Sequence, residues 1–124
     1  ILDAVDDIET HFKEATWYIH LPKYEAGPIT LLEAMTAGVI PITNTAAGHH
    51  SFINEVKKEL VLSKNTQTRE QAEKIRKITK MPLKERQKIS KTFKKIGRSH
   101  FSKEEITAKF VESWKKVTTI TEKR

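Results

Sequence analysis

The 124-residue sequence contains no cysteine. That absence excludes disulfides, thiolate metal sites and a cysteine nucleophile, leaves the core to hold by packing alone, and fits a reducing compartment. Long hydrophobic runs are missing too: none approaches the roughly 18 residues that a membrane-spanning helix needs. Asp3, Asp6, Asp7, Glu9 and Glu14 interrupt the apolar pattern of the first twenty residues, which therefore read as neither a signal nor a transit peptide. A cytoplasmic location, with peripheral attachment to a membrane as an option, is the resulting expectation. Basic residues are scarce in the first half. Residues 1–56 hold only Lys13 and Lys23 against eight acids, whereas residues 57–124 hold the other 21 lysines and arginines against eight acids.

What is present suits one compact unit, or part of a larger one, since 37% of residues are apolar and 31% charged. A net charge of +7 favours anionic partners, whether nucleotide, nucleic acid or lipid headgroup, and charge alone does not choose among them. The fold class expected is α/β: a partial Rossmann-like domain with a short parallel sheet of about three strands, flanking helices and a helical carboxyl-terminal half. Residues 1–63 read as the strand and helix core, and residues 64–124 as amphipathic helices with basic outer faces.

Asp6 and Asp7 predict the start of a helix over about residues 7–14, with Ile8 and Phe12 turned inward. Thr16 to Leu21, "TWYIHL", is short, β-branched and aromatic, and stops at Pro22, as a buried parallel strand would. Pro28 opens a helix and Gly38 closes it around the apolar body "ITLLEAMTA". Val39 to Thr43 is the next strand, weakened by the missing amide of Pro41. Strand, helix, strand implies a right-handed crossover and a parallel sheet. Asn44 to Ser51 reads as a loop, and Leu60 to Leu62 as a third short strand. Beyond it, Thr68-x-x-Gln71, Pro82 and Ser102-x-x-Glu105 mark three helix starts. Apolar residues recur at Ala72, Ile75 and Ile78, at Ile89, Phe93 and Ile96, and at Ile106, Phe110, Trp114 and Val117. Each set traces one helical face, so Phe93, Phe110 and Trp114 are expected in the core and the lysines on solvated outer faces.

The segment "YEAGPITLLE" carries the chemistry. A loop leaving the carboxyl end of a strand presents Glu25 and enters a helix at Pro28, where open α/β sheets bind ligands. Unpartnered first-turn amides at residues 29–31 suit a phosphate, and Glu33 lies about 7.5 Å along the helix, leaning back toward its start. Two carboxylates beside a phosphate site make sense when they accept sugar hydroxyls. A nucleotide-sugar has that shape. The plainer alternative is that Glu33 is a solvated helix residue and Glu25 a loop charge.

The stretch His11 to Ile53, "HFKEATWYIHLPKYEAGPITLLEAMTAGVIPITNTAAGHHSFI", resembles the carboxyl-terminal, donor-binding domain of retaining GT-B glycosyltransferases of the group 1 or family 4 type. Their E-x7-E motif takes a form like "YEGLPISLLEAMAAGVPVI". The closing "HFSKEEITAKFVESWKKV" is similar, more weakly, to the family's terminal helix. The resemblance implies that Glu33 binds the ribose hydroxyls and that Glu25, the expected catalytic residue, holds the transferred sugar. It also implies that the amides of Gly27, Ile29 and Thr30 contact sugar and diphosphate, with Ala26 and Pro28 in the same loop. Thr45 to Gly48 corresponds to the family's "D.GG" turn, with Ala47 in place of its first glycine and Ser51 near the position of a frequent acid.

By the same resemblance no metal or other cofactor is expected, and the donor is UDP- or GDP-linked. The family's Arg/Lys pair on the diphosphate and its amino-terminal acceptor domain have no counterpart in this sequence. The chain is therefore expected to be incomplete and inactive alone, with an exposed sheet edge that favours self-association. A metal at His20, His49 and His50 is the weaker reading, because adjacent loop histidines rarely form a site without further ligands; contact with the ligand or plain surface exposure is the stronger one. His11 and His100 read as helix-surface or helix-end residues. An alternative function is a non-catalytic basic module for nucleic acid or a protein partner, with nucleic acid disfavoured because the aromatics among the basic residues read as core. An anionic membrane surface is a further option.

Overall fold

The computed structural model describes residues 4–122. Six helices and three strands follow in the order α1 (Ile8–Glu14), β1 (Trp17–His20), α2 (Ile29–Ala37), β2 (Ile40–Asn44), α3 (His50–Val56), β3 (Val61–Leu62), α4 (Thr68–Thr79), α5 (Leu83–His100) and α6 (Lys103–Glu122), with a 3-10 turn at Lys58–Leu60. The fold is α/β with a short parallel sheet in the order β1-β2-β3, as a partial Rossmann-like domain requires.

Local chemistry explains most boundaries. Asp7 caps α1 by accepting the Thr10 amide at 3.2 Å and the Thr10 hydroxyl at 2.5 Å, satisfying one orphan donor of the first turn. Pro28 precedes α2 as its N-cap, one position outside the helix, and Gly38 ends it in the left-handed region at φ 84°. Pro41 is tolerated in the central strand because ladder partners alternate. The Ile40 amide bonds Thr16 on the β1 side, so Pro41 faces the other side, where β3 pairs only from Thr43 onward. Every residue of β2 is buried.

The core joins both halves of the chain. Leu31 and Met35 of α2, Ile40 and Ile42 of β2, Ile53 of α3, and Ile89 and Phe93 of α5 form one cluster. Helices α2 and α5 approach closely at Gly97, where an added Cβ would lie 2.6 Å from the Thr36 Cα, and the Ser90 hydroxyl donates to the Gly38 carbonyl at 2.6 Å.

Several expectations need correction. β1 is an edge strand, half-covered, with Ile19 50% exposed, because no described strand flanks it on its outer side. The expected loop 44–51 ends earlier, since α3 begins at His50 without a side-chain cap. Thr68 is the first helical residue of α4 and forms no capping box; Gln67 is the N-cap. Ser102 does cap α6, accepting the Glu105 amide at 3.2 Å. Ala72 is exposed, whereas Ile75 and Ile78 pack on the core. The face of α6 is not core: Phe110 is 67% and Trp114 62% exposed. Periodicity identifies residues that share a face, not whether anything lies opposite that face. Lys123 and Arg124 lie outside the described residues.

Candidate functional site

Parallel pairing brings the carboxyl ends of β1 and β2 to the same sheet edge, and two loops leave there. The first runs from Leu21 to Pro28 into α2, the second from Thr45 to His49 into α3. Backbone bonds zip them together. The Glu25 amide donates to the Ala46 carbonyl at 3.1 Å, and the Gly48 amide donates to the Glu25 carbonyl at 2.6 Å. Glu25 and Ala47 thereby form an isolated parallel bridge beyond the sheet. Gly48 is required at this contact, because a Cβ there would lie 1.8 Å from the Ala26 carbonyl oxygen.

Asn44, at 3% exposure, is the hub beneath the two loops. Its Nδ2 donates to the Pro22 carbonyl at 2.9 Å and its Oδ1 accepts the Ala46 amide at 3.0 Å, so one buried side chain serves both. The Thr43 hydroxyl adds a bond to the His20 carbonyl at 2.8 Å. Sequence reasoning missed this role; the available signal was an asparagine directly after a strand, which favours a turn built on its own side chain. On the far side Thr45 is committed to β3, its amide donating to the Leu62 carbonyl at 2.9 Å and its hydroxyl accepting the Lys64 amide at 3.1 Å.

The predicted residues fall into two groups. Glu25, Ala26 and Gly27 sit on the zipped loop beside Gly48, with Glu25 half-buried and Tyr24 82% exposed. Ile29, Thr30 and Glu33 sit at the start and along the exposed side of α2. The Leu31 amide bonds the Pro28 carbonyl at 3.2 Å; the amides of Ile29 and Thr30 precede any intrahelical acceptor. The Thr30 hydroxyl is paired with the Tyr18 hydroxyl at 2.8 Å, and Tyr18 also stacks on His20 with ring centroids 5.9 Å apart. Glu33 and Ile29 line an open groove of about 720 Å³ between α1, α2 and the α5–α6 turn, with Phe12, Leu32, Arg98 and Phe101 among its walls. Glu25 stands outside that groove, on the neighbouring loop.

The histidines separate likewise. His11 is exposed on α1 and His100 ends α5. His50 Nδ1 lies 2.7 Å from the Ala47 carbonyl oxygen. His49 packs against both Phe52 and Phe101, which also touch each other. The Nε2 of His20 is buried without a hydrogen-bond partner among the described residues. No cluster of three or more histidine, aspartate or glutamate side chains that could hold a metal occurs among the described residues. None of the described helices is long and apolar enough to cross a membrane.

A parallel α/β sheet whose strand ends carry two joined loops, one of them entering a helix at a proline, is the architecture of a partial Rossmann-like domain. The sequence model of group 1 glycosyl transferases matches residues 2–96, from before α1 into α5, and the chain belongs to that family. Its function accordingly lies in glycosyl transfer. No curated protein and no solved structure matches the chain.

Proposed function

We propose that the chain is the donor-binding part of a retaining glycosyltransferase of the GT-B, family 4 type, and that it binds a nucleotide-diphosphate sugar, UDP- or GDP-linked, without a metal. Residues 1–63 carry the E-x7-E site and residues 64–124 its helical support. In this reading Glu33 accepts hydrogen bonds from the ribose hydroxyls, and Glu25 from hydroxyls of the transferred sugar. Gly27, Ile29 and Thr30 turn backbone amides toward the diphosphate, Ala26 and Pro28 shape the loop, and Thr45 and Gly48 bound it on the β2 side.

The observation that carries the reading is the backbone zipper between the Glu25 loop and the Ala46–Gly48 turn. It holds the first glutamate in a fixed frame at the strand ends before any ligand arrives, which lowers the ordering cost of binding. Ionised carboxylates accept hydrogen bonds and cannot donate them, so they suit hydroxyls while the amides suit phosphate oxygens.

Isothermal titration of the chain with UDP-glucose and GDP-mannose tests the proposal. Glu33→Ala is expected to lower the affinity for whichever donor binds by about tenfold or more, the loss of a charge-assisted hydrogen bond, with an unchanged melting temperature because the side chain is exposed. Equal affinity in the variant contradicts the assignment. Binding of nucleic acid, falling steeply with salt, in place of any donor would favour the basic-module alternative.

A further inference from the structure

The adjacent histidines at the start of α3 have different fates. His50 spends Nδ1 on the Ala47 carbonyl at 2.7 Å, a bond that braces the turn. The His49 ring makes no hydrogen bond among the described residues. Its Nε2 faces the first loop instead, and a Cβ built on Gly27 would lie 3.6 Å from it. Ring contacts with Phe101 and Phe52, at centroid separations of 5.7 and 6.4 Å, hold the imidazole there.

The backbone of His49 is unusual as well. At φ 66° it occupies the left-handed region, alone among the described non-glycine residues. Histidine is among the non-glycine residues found there most often, and the conformation still costs more than it does for glycine. The position keeps a ring nitrogen aimed at Gly27 despite that cost.

We propose that His49 is a binding residue of the donor site, its Nε2–H donating a hydrogen bond to an oxygen of the nucleotide-sugar diphosphate seated on the Tyr24–Thr30 loop. This rests on the reading under Proposed function. Phosphate oxygens require donors, and both glutamates of the motif are acceptors when ionised. The permanent cations near α2, Lys13, Lys94, Arg98 and Lys103, line the groove beside Glu33, which neither Gly27 nor His49 lines. Gly27 has no side chain, so a ligand can approach its backbone and the imidazole together. A hydrogen bond from imidazole to a phosphate oxygen is charge-assisted, which is the stronger kind.

The test is titration of the full chain with UDP-glucose, GDP-mannose, UDP and GDP, in the wild type and three variants. His49→Phe keeps the ring contacts and removes the donor; His49→Gly suits the left-handed backbone and also removes it; His49→Asn tolerates that backbone and keeps an amide donor. Binding of the nucleotide-sugar and of the bare diphosphate is expected to fall about tenfold or more in Phe and Gly, and to recover most of the loss in Asn. Should the Phe variant not fold, Gly against Asn makes the same comparison. Wild-type affinity in the Gly variant overturns the assignment, and so does a loss confined to the nucleotide-sugar with the bare diphosphate unaffected. If the wild type binds none of the four probes, the donor-site reading itself fails, an outcome distinct from the other two.

Discussion

Replacing Gly48 by alanine tests whether the two loops form one unit. Where glycine occupies an ordinary backbone conformation, Gly→Ala stabilises a protein by about 0.4–1 kcal/mol through the unfolded chain, and the φ of Gly48 is not in the positive range. The local contact reverses that sign. The new methyl would lie 1.8 Å from the Ala26 carbonyl oxygen and 2.5 Å from its carbon, and backbone cannot yield as a flexible side chain can. The loops must separate, which breaks the Gly48–Glu25 bond at 2.6 Å and strains the Glu25–Ala46 bond at 3.1 Å. Two backbone hydrogen bonds at about 1 kcal/mol each give a loss of about 2 kcal/mol, or a melting temperature lowered by roughly 8 °C for a chain of this size. Thermal melting followed by circular dichroism reads it. An unchanged or raised midpoint would refute the zipper.

Further outcomes follow from the packing. Gly97→Ala should also destabilise, by about 1–3 kcal/mol, because its Cβ would meet the Thr36 backbone at 2.6 Å; denaturant midpoints measure the loss, and a wild-type midpoint would mean the helices are not so close. Phe93→Ala should cost about 3–5 kcal/mol and Trp114→Ala within about 0.5 kcal/mol, although both were expected in the core, since Phe93 is 0% and Trp114 62% exposed. Equal losses in the two variants would place α6 against the body. The hydrogen bonds from the Thr10 hydroxyl and amide hold the Asp7 carboxyl below the ordinary aspartate range. A group with a depressed folded pKa stabilises above its unfolded pKa and loses that contribution as pH falls through the folded value. The stability gap between wild type and Asp7→Ala should therefore be full at neutral pH and shrink in acid below the ordinary carboxylate range; a pH-independent gap in melting temperature would contradict the cap.

Much of the first half was legible because its punctuation is local. Pro28 and Gly38 bracket α2 through their own backbone limits, and Asp7 caps α1 with its own side chain. α3 was not legible, since His49 starts it from a left-handed backbone with no capping side chain. The exposure of Phe110 and Trp114 depends on what lies opposite their helix, a tertiary fact that periodicity does not contain. For the candidate site, "YEAGPITLLE" marked both glutamates and the loop between them. The local half of the Asn44 hub, its bond to the Ala46 amide, was readable from the residue type; its bond to Pro22 and the bridge from Glu25 to Ala47 were not, because both join residues about twenty apart along the chain.

Under the proposed function the two joined loops, Tyr24 to Thr30 and Thr45 to His49, form one surface that receives a nucleotide-sugar. Amide hydrogen exchange of the chain, with and without saturating UDP-glucose or GDP-mannose, tests it most directly. Protection should rise at residues 25–30 and 45–49 together, with α6 unchanged. Donor binding that protects other segments and leaves these two loops exchanging as before would contradict it.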